Sequence, residues 1–138
     1  MVSKDVIPAS PQGSFVFCEG WGESEPWGTW SNGKEGRIYL PLPEQRPKRL
    51  TLQFQAFVFD KHPEQLLTIQ VNAHEVTELS IRNPKENRIT IPLDAADWEK
   101  GYVMVKFQFT NPISPKEAGH SIDDRPLAIG LESAVFQP

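Results

Sequence analysis

Residues 103–109, VMVKFQF, decide the fold class. Val103, Val105, Phe107 and Phe109 fall on one side of an extended chain, and Met104, Lys106 and Gln108 on the other. Successive side chains of a strand point to opposite faces, so this pattern belongs to an antiparallel strand with one face on a core and one in water. Working outward, the same period recurs. Leu50, Leu52 and Phe54 alternate with Thr51, Gln53 and Gln55. Leu67, Ile69 and Val71 alternate with Thr68 and Gln70. Ile89 and Ile91 flank Thr90, and Leu127, Ile129 and Leu131 flank Ala128 and Gly130. Weaker strands are predicted over 14–18, 37–40, 74–79 and 133–136. Turn-rich segments such as Asn32-Gly33 and Asp60 to Pro63 separate them.

No apolar stripe holds helical spacing over three turns. The one helical turn predicted is Asp94 to Glu99, capped by Asp94, stopped by Gly101 and carrying Trp98 onto the core. Eight or nine short strands with Pro and Gly between them predict an all-β chain, an antiparallel β-sandwich with jelly-roll topology. The 138 residues suit one domain that needs neither metal nor disulfide to hold its core. The expected division is a flexible leader over 1–12 and a single sandwich domain over 13–138.

Charge and composition narrow the function. Fourteen basic residues stand against eighteen acidic ones, and the single basic cluster, Arg46, Lys48 and Arg49, flanks a strand start. No nucleic-acid partner is expected, since a phosphate backbone needs a clustered positive field. No run is long and apolar enough to span a bilayer, so no direct membrane insertion is expected. The first fifteen residues, MVSKDVIPASPQGSF, hold no apolar stretch of signal-peptide length. The lone Cys18 excludes an internal disulfide and reads as a small core residue. His62, His74 and His120 lack zinc-site spacing, no DxDxDG calcium run is present, and neither a GxSxG elbow nor a phosphate-binding glycine loop occurs. No metal, cofactor or catalytic residue is therefore assigned. The acidic pairs Glu23/Glu25 and Asp123/Asp124 keep a glycosidase as a minor alternative, because such chemistry needs two carboxylates across a cleft.

Two segments carry the remaining chemistry. Residues 20–33, GWGESEPWGTWSNG, hold three of the four tryptophans, Trp21, Trp27 and Trp30, among Gly, Ser, Glu and Pro. A loop tryptophan offers a flat face to the C–H face of a sugar ring, with Glu23, Glu25, Ser31 and Asn32 available to its hydroxyls. The alternative is that the indoles fold back as a lid over one end of the sandwich. Residues 111–131, NPISPKEAGHSIDDRPLAIGL, leave one strand and enter another through a connection long enough for a binding loop. Asp123 and Arg125 either pair with each other or meet a ligand. Arg37, next to the first segment, either meets a carboxylate or phosphate or stacks on an indole.

Taken together, GWGESEPWGTWSNGKEGRIYLPLP, the Val71-Asn72 pair and NPISPKEAGHSIDDRPLAIGL resemble a small β-sandwich module of bacterial cell-envelope glycan proteins, over about Gly20 to Phe136. Such modules accompany glycosyltransferases and phosphoglycerol-transferase-like membrane proteins. The resemblance implies a noncatalytic carbohydrate-binding accessory module, associated with the cell envelope, whose partners are a glycan or oligosaccharide and a membrane glycosyltransferase. By position it implies ligand contacts from Trp21, Glu25, Trp27, Trp30, Arg37, Asn111, Ser114, Asp124 and Arg125. A second reading makes the Trp-rich loop the anchor of a structural protein-interaction domain that docks an envelope glycan-biosynthesis enzyme.

Overall fold

The alternating segments pair into two antiparallel sheets. The computed structural model describes residues 6–11, 13–74 and 76–138. In the first sheet β5 (Arg49–Ala56) lies between β8 (Asn87–Pro92) and β10 (Ile129–Gln137). The free side of β10 is taken by two short strands, β1 (Val6–Pro8) and β3 (Thr29–Trp30), which pair with different parts of it. The second sheet runs β2 (Val16–Phe17), β4 (Glu35–Pro41), β9 (Tyr102–Phe109), β6 (Gln65–Val71), β7 (Thr77–Ile81). From β4 onward the chain visits the second sheet, then the first, then the second for the β6–β7 hairpin, and alternates through β8, β9 and β10. That winding is the jelly-roll.

Register makes the core. Ile38 faces Val105 across β4 and β9, Gly36 faces Phe107, and Ile69 and Val71 face Phe107 and Val105 from β6. In the other sheet Leu52 sits between Ala134 and Ile89. The inward sets Leu50, Leu52 and Phe54, Ile129 and Leu131, and Val103, Val105 and Phe107 are all buried. Each such side chain contributes roughly 1.5–3 kcal/mol of transfer free energy, which is why period two reads so clearly in the sequence.

The short helix α1 (Ala95–Lys100) follows its punctuation. Asp94 accepts hydrogen bonds from the N–H groups of Ala96 and Asp97, the Asp97 carboxylate accepts one from the Asp94 N–H, and Gly101 ends the turn at φ 77°. Trp98 donates from its indole to the Pro47 carbonyl at 2.8 Å, under the Arg46 guanidinium. No helix among the described residues is long and apolar enough to cross a membrane.

Four expectations are corrected. The leader is not loose from Val6 onward: Val6, Ile7 and Pro8 pair with Val135, Ala134 and Ser133, and Ala9 is fully buried. The signal there is only three residues of strand, too short for alternation to show. Residues 1–5 and 12 lie outside the described residues. The separate strands expected over 127–131 and 133–136 are one strand, β10, with a bulge at Glu132 between Leu131 and Ser133. The bulge inserts one residue and breaks the period, so one strand reads as two. Cys18 is half-buried, not a core residue. The weak strand expected over 74–79, in part beyond the described residues, begins at Thr77.

Candidate functional site

The 20–33 segment is folded by its polar and glycine residues, and its tryptophans follow. Gly20 adopts φ 92° close to the Glu35 carbonyl. Glu25 and Gly28 close a two-residue turn over Pro26-Trp27 with reciprocal backbone bonds of 2.8 and 3.1 Å. Thr29 then enters β3 with its side chain inward. Its buried hydroxyl bonds the Ala9 carbonyl at 2.8 Å and the Ser24 hydroxyl at 2.9 Å.

The 111–125 loop is shaped the same way. Asn111 accepts from the Leu66 N–H and donates to the Glu64 carbonyl, both at 2.8 Å, while its own carbonyl meets His62 Nε2. Ser114, buried, accepts from the Glu117 N–H at 3.0 Å. The Ile113–Leu127 bridge closes the base, and the Lys116 N–H reaches the Asp123 carbonyl.

These two loops meet at one end of the sandwich. The buried Ser31 hydroxyl accepts from the N–H groups of Ala128 and Ile129 at 3.1 and 3.0 Å, and the Gly33 N–H donates to the Pro126 carbonyl. Replacing Ser31 by alanine leaves two buried N–H groups without that acceptor. A loss of about 2 kcal/mol is expected in chemical denaturation, with the loop end opening first in hydrogen exchange.

Between the loops lies an open cleft of 680 Å³ lined by Trp21, Gly22, Glu23, Glu25, Asn32 and Arg125. Arg125 grips Asp123 in bidentate fashion, with Nε and Nη2 contacts of 3.0 and 2.7 Å. Those bonds hold the Asp123 carboxyl down to about 2, and Asp123 together with Glu25 and Glu23 raises the guanidinium. An NMR pH titration should find Asp123 well below ordinary carboxylates, and Arg125→Ala should raise it toward their range, with the bond from the residue 125 N–H still in place. Arg125 Nη1 also lies over Gly22, so close that a Cβ there would meet it at 2.9 Å.

Of the nine candidate residues, the cleft gathers Trp21, Glu25 and Arg125. Trp21 is half committed to the core: its Nε1 donates to the Arg37 carbonyl at 3.1 Å, and its ring packs edge-on against Phe17 and Phe107. Trp27 and Trp30 stand on the outer face of the first sheet. The six-membered edge of Trp27 fits the gap left by Gly130, where a Cβ would come within 2.8 Å. Trp27 meets Trp30 edge-to-face at 5.6 Å, Trp30 meets Phe57, and Phe59 and His120 continue the row. Arg37 lies apart, its fork bound to Glu19 at 2.8 and 3.1 Å and not to an indole. Asn111 ties its loop to the start of β6, Ser114 acts inside the loop, and Asp124 is exposed beside the Asp123–Arg125 pair.

Sequence reading missed Gly22 and Gly130, which leave room for Arg125 and Trp27, and the aromatic neighbours Phe57 and Phe59. Gly130 carries a signal in retrospect, since a glycine inside a strand marks a close approach. It also missed a cluster away from the cleft, where donor atoms of His74, Asp94 and Asp97 lie within 4.8 Å of one another. Hydrogen bonds account for it. The buried Asp97 accepts from Asn72 and His74 at 2.7 Å each and from the Asp94 N–H at 2.9 Å.

The two antiparallel sheets make a β-sandwich, a fold that solved structures share. The chain resembles in fold the CBM36-1 domain of a multidomain xylanase from the hindgut metagenome of Trinervitermes trinervoides, with a TM-score of 0.50 and 11% identity, covering 90% of this chain and 95% of that one. It also resembles part of a family two carbohydrate esterase from Cellvibrio japonicus, with a TM-score of 0.53 and 12% identity over 96% of this chain and 33% of the esterase. A family GH115 4-O-methyl-alpha-glucuronidase, BtGH115A, matches with a TM-score of 0.50 and 12% identity over 96% of this chain and 17% of its own. The chain thus spans a third or less of these two enzymes. No curated protein sequence matches it. The chain belongs to the family described as Domain of unknown function (DUF7024), whose sequence profile matches residues 6–137.

Proposed function

We propose that the chain is a noncatalytic carbohydrate-binding module that takes a glycan at its loop end. The observation that carries this reading is the cleft itself: two loops some ninety residues apart are stitched together around it, and acceptors, an amide and a guanidinium converge beside an indole. Glu23, Glu25 and Asn32 suit sugar hydroxyls, which both donate and accept, and Trp21 supplies an apolar wall. The Trp27–Trp30 shelf next to the cleft offers further apolar surface for C–H faces of a longer chain. Glu23 and Glu25 line the cleft together, so glycan turnover that is lost in Glu25→Gln would overturn the noncatalytic part of this reading. The fold shared with a carbohydrate-binding domain supports the same reading.

The resemblance to envelope modules makes bacterial surface and lipid-linked glycans the panel of choice, with an envelope glycosyltransferase as the partner in cis or in trans. A glycan array probed with the native chain is expected to give hits that fall at least about tenfold in Glu25→Gln and Arg125→Ala, as loss of charge-assisted hydrogen bonds requires. Hits unaffected by both substitutions would place the sugar elsewhere. The interaction-domain reading places its anchor in the Trp-rich loop, and one observation extends it to the second loop, where Ile122 is 94% exposed. Under that reading Ile122→Ser would abolish capture of the partner enzyme and leave the array unchanged.

A further inference from the structure

The sandwich has a second concavity, on the side away from the aromatic-filled edge. At β2 the seam between the sheets is packed by the rings of Phe15, Phe17 and Trp21. At the opposite side the outermost strands are β7 and β8, which belong to different sheets and do not pair. Between them opens a slot of 340 Å³. Its floor is aliphatic, with Ile69, Val71 and Ile91 buried, and Leu79 and Ile89 form the partly exposed walls. That space holds roughly ten non-hydrogen atoms at ordinary packing density.

One nitrogen-bearing side chain lines the slot, His74. Its Nε2 lies 2.7 Å from Oδ2 of Asp97, which is 2% exposed. Burial works against the Asp97 charge, but the bonds from Asn72, His74 and the Asp94 backbone outweigh it and hold the carboxyl below its usual range. A carboxylate can only accept, so Nε2 carries a proton in this pair, and in the neutral tautomer Nδ1 is the acceptor. Asp97 and Asp94 stand behind the ring, so an anionic head group in the slot meets two carboxylates. Among the described residues, apolar walls, the His74 acceptor and the exposed hydroxyls of Thr77 and Thr90 define the chemistry of the occupant.

We propose that the slot between β7 and β8 is a second binding site, for an uncharged ligand with an apolar body of medium-chain length and one hydroxyl that donates to Nδ1 of His74. Asp97 is a positioning residue for that contact. The site is independent of the loop-end cleft and of its reading.

The test is a two-dimensional NMR titration of the full chain at pH 8 with three probes of one shape: 1-octanol, methyl octyl ether and octanoate. Octanol is expected to shift amides of residues 69–71, 74, 77–79 and 89–91 saturably. The ether, lacking the donor, should bind about fivefold more weakly, as one hydrogen bond dictates, and octanoate more weakly still. Ile89→Trp, which fills the slot from an edge strand, should abolish the shifts. His74→Phe should make alcohol and ether equivalent. Equal affinity of the native chain for alcohol and ether would overturn the role of His74. Absence of saturable shifts with octanol, or shifts that survive Ile89→Trp, would overturn the site.

Discussion

Gly20→Ala is expected to lower stability by about 4 kcal/mol, more than any other single methyl added to the loop end. Two effects add. Gly20 holds φ 92°, a region that costs an L-residue about 1–2 kcal/mol, and a Cβ there would lie 1.7 Å from the Glu35 carbonyl oxygen. The clash is with backbone at the start of β4, so no side chain can swing aside. Gly33 isolates the two contributions. It has φ 116° with nothing within 4 Å of an added Cβ, so Gly33→Ala bears only the backbone strain. Urea denaturation of both variants checks the ordering. Equal losses at the two positions would mean that the carbonyl contact does not exist.

Asp97→Ala carries the other large effect, about 3–5 kcal/mol. The substitution strands three donors at once: the Asn72 amide, His74 Nε2 and the Asp94 N–H. The same carboxylate makes stability depend on acid. Its folded pKa lies below the unfolded value, so its contribution is complete above about pH 4 and is lost as pH falls through the folded pKa. The native chain should therefore weaken on acidification in that window more steeply than Asp97→Ala. Parallel pH profiles of the two proteins would remove Asp97 from the balance.

What the sequence made legible was whatever repeats at period two over five or more residues. Val103 to Phe109 and Leu50 to Phe54 bury one face against the other sheet, and hydrophobic alternation is the direct print of that burial. The capped turn at Asp94 was readable for a related reason, since its chemistry is local. Strands of two or three residues, β1 and β3, leave no period to read. The bulge at Glu132 erased one that existed.

The site was legible by composition and not by arrangement. Both loops stand out in the chain, but their meeting rests on strand order and on Ser31 and Gly33, whose bonds span more than ninety residues. Three tryptophans in ten residues suggest one surface. Thr29 points inward, so Trp30 points outward with Trp27 on the sheet face, while Trp21 turns toward Phe107. Asn72 makes the same point away from the site. The Val71-Asn72 pair marks a strand end, yet only the folded chain reveals Asn72, at φ 46°, bridging Met104 and Asp97.

The most direct test of glycan binding at the loop end follows the four indole N–H signals in one NMR titration. With an envelope oligosaccharide from the array, the Trp21 indole and the amides of residues 22–25, 32 and 125 should shift saturably, and the Trp27 and Trp30 indoles should join them for a longer chain. The Trp98 indole, bound to the Pro47 carbonyl beside α1, should stay in place. Shifts centred on Trp98 or on the outer face of β4 and β9, with the loop-end signals unmoved, would contradict binding at the cleft.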